Sequence, residues 1–242
     1  MNPVVIIPAR YASTRLPGKP LLSETGKYLI QHVYEQARKS EKVSEVIVAT
    51  DDDRIVKAVK SFGGRVELTS TNHHTGTDRI AEVSAKIDSQ IIINIQGDEP
   101  EIEPASIDLL IDALSASPAE IPVATLAARI SDYSMLENPN IVKVVTDLQN
   151  NALYFSRSEI PYERTYIENE NYFLVHIGIY AYKRDFLMKF VKWAETPLEK
   201  IEKLEQLRIL EHSCKIKVVP VEQFHKGIDT LEDYKLFVER YK

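Results

Sequence analysis

A single cysteine, Cys214, stands in 242 residues, so the chain can form no intrachain disulfide and no cysteine cluster for zinc. A reducing cytosol is the compartment that suits it. Glycine is scarce at eight residues, and no two glycines are separated by one residue, which removes the G-x-G-x-x-G dinucleotide fingerprint. Gly18-Lys19 is followed by Pro20 where a P-loop needs a hydroxyl for magnesium, and neither G-x-S-x-G nor H-E-x-x-H occurs. Rossmann dehydrogenases, Walker ATPases, serine hydrolases and zinc proteases are therefore unsupported. Positive charge is also in short supply: 30 Lys and Arg face 36 Asp and Glu, a net charge of −6 that argues against a general nucleic-acid binder. No apolar run approaches a membrane span, and the first one is too short for a signal-peptide core, so no membrane partner is expected. Repeats, low-complexity tracts and flexible linkers are missing as well.

What is present begins at Val4 to Ile7, a short apolar run ended by Pro8 that reads as a buried parallel strand. It empties into a loop in which Arg10, Arg15 and Lys19 alternate with Ala12, Ser13, Thr14, Pro17, Gly18 and Pro20. Cationic forks and close backbone amides outside a strand's carboxyl end suit a polyphosphate; the bland alternative is a solvated surface loop. Helical spacing over Tyr28 to Glu41 is followed by a strand at Val46 to Ala49, a helix at Arg54 to Phe62 and a strand at Arg65 to Thr69. A helix from Asp78, a strand at Ile91 to Ile95, a helix at Ala105 to Leu114 and a strand at Val123 to Ala127 complete the alternation. This rhythm predicts an α/β fold with a doubly wound, mostly parallel sheet and helices on both faces.

Past Ile130 the rhythm changes. Ile141 to Thr146 and Ala152 to Arg157 predict a hairpin around Gln149-Asn150-Asn151, and Tyr172 to Tyr182 is a third β-rich run. Helices at Asp185 to Trp193 and Leu198 to Glu211, a strand at Lys215 to Val221 and a final helix presenting Leu231, Tyr234, Phe237, Val238 and Tyr241 on one face follow. One domain over 1–242 is expected: a nucleotide-binding half at 1–130, an inserted β-rich lobe at 131–183 and a return segment at 184–242 that completes the site.

Three acids stand out. Asp98 follows the most apolar strand, where a hard cation and phosphates would meet, although a turn aspartate capping the next helix reads as well. Asp229 precedes Thr230 and Asp233, which sketch a capping box of their own and leave Asp229 to project into a site. Glu205 lies one turn after Ile201 on a helix whose apolar stripe includes Leu198 and Leu204, and a carboxylate bordering a buried stripe needs a partner. Two tempting patterns read better as structure: His73-His74, because adjacent loop residues seldom face one metal, and Asp51-Asp52-Asp53, a D-x-D match at a helix N-terminus.

Taken together, IIPARYASTRLPGKPL, VATDD, TGTDRIAE, INIQGDEP, NPNIVKVV, ALYFSRSEIP, HIGIYAY, LEQLR and GIDTLEDY, in that order along nearly the whole chain, resemble the 3-deoxy-D-manno-octulosonate cytidylyltransferase (CMP-Kdo synthetase) family. The opening P-A-R-x-x-S-x-R-x-x-x-K pattern is shared with CMP-sialic acid synthetases, whereas INIQGDEP, YFSR, HIGIY and LEQLR point to the Kdo branch. Thr75 stands where that family commonly has serine and keeps the hydroxyl. The resemblance implies a nucleotide-diphospho-sugar transferase-like fold and a Mg²⁺-dependent reaction of CTP with Kdo in a cytoplasmic, usually dimeric enzyme, here a homodimer with the β-rich lobe as its contact surface. It further implies that Arg10, Arg15 and Lys19 hold the triphosphate, that Ala9, Ser13 and Thr75 line the nucleotide, and that Asp98 and Asp229 hold magnesium. Gln96, Arg157, His176, Tyr180, Glu205 and Gln206 would surround the sugar acid, with His176 reading equally as a core-edge histidine. A sialic acid cytidylyltransferase, a nucleotide-sugar glycosyltransferase and a non-catalytic nucleotide-binding module are the rival readings.

Overall fold

The computed structural model describes residues 2–12, 16–130, 132–165 and 172–241. The first half alternates strand and helix: β1 (Val4–Ala9), α1 (Leu29–Ala37), β2 (Glu45–Thr50), α2 (Asp53–Ser61), β3 (Arg65–Leu68), α3 (Gly76–Ser84), β4 (Ile91–Asn94), α4 (Pro104–Ala116) and β5 (Val123–Arg129). Then come α5 (Ser134–Glu137), β6 (Lys143–Thr146), β7 (Ala152–Ser156), β8 (Leu174–Lys183), α6 (Arg184–Phe190), α7 (Pro197–Glu202), α8 (Gln206–Glu211), β9 (Ile216–Val221) and α9 (Leu231–Arg240).

The strands form one mixed, mostly parallel sheet in the order β3-β2-β1-β4-β8-β5-β9, with the β6–β7 hairpin attached to β8. The period of two along each central strand decides what each face buries. Val5, Ile7, Val46, Val48 and Ile93 point to the side covered by Ile30 and Val33 of α1, Ile55 and Val59 of α2 and Ile107 and Leu110 of α4. Val4, Ile6, Ile47 and Ile92 point to the other, against Ile80 of α3, Phe190 of α6 and Leu207 of α8. With both faces covered, these strands read as continuous apolar runs rather than alternating ones.

The β6–β7 hairpin of the β-rich middle joins the main sheet through β8, which runs antiparallel to β4 and β5 between them. Three expectations need correction. Pro8 does not end β1, which continues to Ala9: beyond Ile6 the strand has a ladder partner only in β2, so a missing N–H on the other side disrupts nothing. The helix expected over Leu198 to Glu211 breaks at Lys203, which adopts φ 54°, leaving Ile201 77% exposed instead of in a buried stripe. On α9, Tyr234, Phe237 and Val238 are buried with Leu16, Leu29 and Ile228, whereas Leu231 and Tyr241 are exposed.

Candidate active site

The carboxyl ends of β1, β2 and β4 lie along one edge of the sheet, and the loops leaving them form a crevice with the segment that precedes α9. After β1 the chain doubles back: the Gly18 N–H donates to the Tyr11 carbonyl at 3.1 Å. Gly18 takes φ 68°, and a Cβ there would meet the Tyr11 ring at 3.3 Å, so the turn favours glycine on both counts. Lys19 then enters a short 3-10 turn, Lys19–Leu21, with Pro20 beside it.

That turn aims the Lys19 ammonium into the crevice, where it donates to Asp98 Oδ2 at 2.6 Å and to the Ile228 carbonyl at 2.8 Å. Asp229 Oδ1 lies 3.7 Å from the same nitrogen. Two carboxylates far apart in the chain thus converge on one point. Asp98 is not a helix cap, because α4 begins only at Pro104 after Glu103. Its position is fixed by the Ile228 N–H, which donates to the Asp98 carbonyl at 2.9 Å. Asp229 is likewise relieved of capping: Thr230 accepts from the Asp233 N–H, and the Asp233 carboxylate accepts from the amides of Thr230 and Asp229 at 2.9 and 3.1 Å. Those bonds and Lys226 hold the Asp233 carboxyl down at about 2, against the cost of its burial.

Glu99 is a third acid here that the sequence reading passed over. Desolvation, then the neighbouring Asp98 and Asp229 charges, push its carboxyl well above the usual range. A Cβ on Gly227 would stand 3.0 Å from Glu99 Oε1 and 3.4 Å from the Asp98 carbonyl oxygen, so a larger residue there would press on Glu99. A cavity of ≈ 270 Å³ opens beside these groups, lined by Asp98, Glu99 and Asp229 together with Asn138, Asn140 and His176. Gln96, Arg157, Tyr180, Glu205 and Gln206 are not among its lining residues.

His176 is buried between Phe155 and Tyr180, with ring centroids 5.0 and 5.4 Å away. Thr125 Oγ1 donates to the Ile179 carbonyl at 2.8 Å and lies 2.9 Å from His176 Nε2. With the hydroxyl proton engaged by that carbonyl, the imidazole donates from Nε2, and Nδ1 carries the acceptor lone pair. Burial holds the imidazole down at about 3, neutral at physiological pH. Tyr180, also buried, has its hydroxyl pushed well up by burial and by Glu205.

The remaining expected residues lie in defined networks. Ala9 is the buried last residue of β1, and Arg10 Nη2 donates to the His73 carbonyl at 2.8 Å, while Ser13 and Arg15 lie outside the described residues. The Thr75 hydroxyl caps α3 by accepting from the Asp78 N–H at 3.1 Å. Gln96 Nε2 donates to Asn94 Oδ1 at 3.2 Å. Glu205 Oε2 accepts from Thr77 Oγ1 at 2.6 Å, and its Oε1 lies 3.6 Å from Arg208, which grips the buried Glu199 with two nitrogens. Burial raises the Glu205 carboxyl in spite of those partners. Gln206 is buried at the start of α8. Arg157 donates to the carbonyls of Glu202, Pro139 and Lys203 at 2.7, 2.9 and 3.4 Å. His73 Nε2 faces Glu82 Oε2 at 2.7 Å, so the histidine pair does not form a shared metal site.

With this geometry in place, the likenesses to known proteins become informative. The sequence model of the family described as cytidylyltransferase matches residues 4–216. A 3-deoxy-manno-octulosonate cytidylyltransferase of Geobacter sulfurreducens is 51% identical, with 100% of each chain covered. One of Vibrio cholerae serotype O1 is 49% identical over 98% of this chain and 96% of its own. A solved CMP:2-keto-3-deoxy-manno-octonic acid synthetase complexed with CTP superposes with a TM-score of 0.93 at 44% identity, covering 99% of this chain and 98% of that one. A cytidylyltransferase from Leptospira borgpetersenii, 21% identical with a TM-score of 0.66 over 98% of this chain and 85% of its own, shares the fold.

Proposed function

This chain belongs to the cytidylyltransferase family, and from that premise we infer that it activates Kdo: CTP and 3-deoxy-D-manno-octulosonate give CMP-Kdo and diphosphate. The observation that carries this reading is the meeting of Lys19, from the opening loop, with Asp98 and Asp229 at the sheet edge. A polyphosphate needs a cation where negative charge develops, and a hard divalent ion needs one or two carboxylates with room for substrate oxygens and water. Both requirements meet at one point.

The anomeric hydroxyl oxygen of Kdo attacks the α-phosphorus of CTP in line. A new P–O bond forms, the bond from the α-phosphorus to the bridging oxygen breaks, diphosphate departs with that electron pair, and the hydroxyl proton is released. Positioning and charge neutralisation supply most of the acceleration in such transfers. Lys19 and Arg10, with Arg15, are assigned to the triphosphate, and Ala9, Ser13 and Thr75 to the nucleoside. Gln96, His176, Tyr180, Glu205, Gln206 and Arg157 are assigned to the sugar-acid side, where the buried Nε2–H tautomer of His176 leaves Nδ1 as an acceptor for a sugar hydroxyl.

Asp98 and Asp229 fit magnesium, because their oxygens already converge on one ammonium. Among the described residues no group of three or more His, Cys, Asp or Glu offers a rival metal site. When bound there, Mg²⁺ supplies charge neutralisation to the phosphate oxygens and acidifies the attacking hydroxyl. We place the enzyme in the cytoplasm as a homodimer whose contact surface is the β6–β7 hairpin. Its outer strand exposes Leu153 and its turn exposes Leu148, and among the described residues no helix is long and apolar enough to cross a membrane. Sedimentation would check the dimer.

Diphosphate release from CTP and Mg²⁺, measured with Kdo and, in a parallel reaction, with sialic acid, tests the activity. Release with Kdo alone is the expected result. Release with sialic acid alone, or CTP binding without turnover, would overturn the reading.

A further inference from the structure

Lys143 stands in the middle of a valine-rich strand start, Ile141-Val142-Lys143-Val144-Val145, and its side chain is fully buried. A buried ammonium must have its donors met or it costs several kcal/mol. Here all three are met by backbone carbonyls: Asn138 at 3.1 Å, Ile141 at 2.7 Å and Arg157 at 2.7 Å. The Arg157 guanidinium completes the pattern from the other side, reaching Pro139 on the same loop and then Glu202 and Lys203 at the end of α7. Glu202 closes the ring, its carboxylate accepting from the Ser156 hydroxyl at 2.6 Å and the Arg157 N–H at 2.9 Å.

The segments joined are not arbitrary. Asn138, Asn140, Ile141 and Val142 of the loop 138–142 line the same cavity as Asp98 and Asp229, and the Val142 carbonyl accepts from the His176 N–H at 2.8 Å. The carbonyls of Glu202 and Lys203 end α7 and lead directly into Leu204, Glu205 and Gln206. The carbonyls of Asn138 and Ile141 that Lys143 holds belong to the same loop whose Asn138, Asn140, Ile141 and Val142 line the cavity, and the Asn140 N–H donates to Asn138 Oδ1 at 2.9 Å within it.

We propose that Lys143 is a positioning residue for the acid-sugar side of the site, holding the 138–142 wall in register with the α7–α8 junction without itself touching substrate. This rests on the reading of the site given above. A merely structural lysine would lower stability when removed and leave both Michaelis constants alone. Lys183 supplies the matched control: its ammonium also donates to two backbone carbonyls, Ser117 at 3.2 Å and Pro118 at 2.7 Å, but at the opposite edge of the sheet.

The experiment compares Lys143→Met, Glu202→Gln and Lys183→Met in the full chain by thermal melt and by steady-state diphosphate release, varying CTP and Kdo separately. Lys143→Met is expected to raise the KM for Kdo about tenfold or more while the KM for CTP stays within about twofold, as loss of alignment on one substrate requires. Glu202→Gln, which keeps an acceptor and the fold, should show the same asymmetry at about threefold. Lys183→Met should lower the melting temperature and move neither KM. If the wild type releases no diphosphate with Kdo, the functional reading falls. If the wild type turns over but Lys143→Met and Glu202→Gln shift both constants alike or neither, the positioning role falls. Should Lys143→Met fail to fold, Glu202→Gln decides alone.

Discussion

Two strand exits on the same sheet edge carry runs of acid, Asp51-Asp52-Asp53 after β2 and Asp98-Glu99 after β4, and they meet opposite fates. After β2 two of the acids are tied into the scaffold, each by its own arginine. Asp51 accepts from the fully buried Arg79 at 2.7 Å, and Asp52 caps α2 by accepting from the Arg54 N–H at 2.9 Å, with the Arg54 guanidinium gripping the same carboxylate. Hydrogen bonds from Arg54 accordingly hold the Asp52 carboxyl below its ordinary value. After β4 no such local partner exists in the sequence, and Asp98 is met by an ammonium from the opening loop beside a carboxylate from the far end of the chain. Asp52, satisfied two positions away, serves its helix and Asp51, met by a buried guanidinium of α3, serves the packing of α3 on β2, whereas Asp98 shares its ammonium with a second carboxylate at an open crevice and serves a site.

The comparison is broken most directly at Asp98 and Asp229. Asp98→Asn and Asp229→Asn keep shape and remove charge, so turnover should fall by about a hundredfold or more with little change in melting temperature. The double mutant should lose much less than the product of the two, since both serve one unit. Turnover at saturating magnesium and a thermal melt on the same proteins check this, and full activity in either single mutant would remove that residue from the site.

Lys19→Ala is expected to cost the next largest amount. Each charge-assisted hydrogen bond to a polyphosphate is worth about 1.5–3 kcal/mol, so kcat/KM for CTP should drop roughly ten- to a hundredfold in a folded protein. The same change removes a positive charge that sits between Asp98 and Asp229, so the residual turnover should saturate at a lower magnesium concentration than in the wild type.

A pH titration sharpens the contrast between buried and paired groups. His176 in the folded chain resists protonation down to about 3, while the unfolded chain takes up that proton near 6.5. At this group the unfolded state therefore binds more protons throughout that window, and the His176 contribution to stability is full above pH 6.5 and is lost as pH falls toward 3. Asp233, held at about 2 against an ordinary 3.8, adds a second loss below pH 4. His176→Phe should flatten the limb between 6.5 and 4 and leave the lower one, as denaturant midpoints across pH would reveal.

Much of this was legible from the residues alone. The alternation of strand and helix to Ala127, the hairpin, and the D-x-D stretch as a helix start all follow from local periodicity and capping chemistry, which act over a few residues. What stayed hidden depends on partners distant in sequence. At the break, Arg157 reaches from the end of β7 to the carbonyls of Glu202 and Lys203, and β8, buried on both faces, lies inside the sheet with partners from distant strands. Lys143 did leave a signal, a lysine between valines in a strand, yet three backbone carbonyls are not a pattern that side-chain spacing can display. Thr75 shows the converse: a hydroxyl assigned to the nucleotide by resemblance is also a helix cap, and spacing alone identifies only the cap.

The smallest expected effect is the other half of the opening comparison. Asp52→Ala removes the N-cap of α2, leaves the Arg54 N–H without its acceptor and breaks the guanidinium contact that holds Arg54. Loss of such a cap costs about 1 kcal/mol, within a usual range of roughly 0.5–2, and the exposed ion pair adds little because solvent screens it. Arg54 also lies over the Tyr11 ring, with its guanidinium carbon 3.2 Å from the ring centroid, so a freed Arg54 loosens the turn in which Tyr11 supports Gly18. That route from α2 to the opening loop predicts a KM for CTP raised by no more than about twofold, with turnover at saturation unchanged. Asp52→Asn, which retains a capping oxygen, should recover most of the stability. If Asp52→Ala instead abolished turnover while the melt stayed normal, the acids after β2 would belong to the chemistry, and the division between the two strand exits would have to be redrawn.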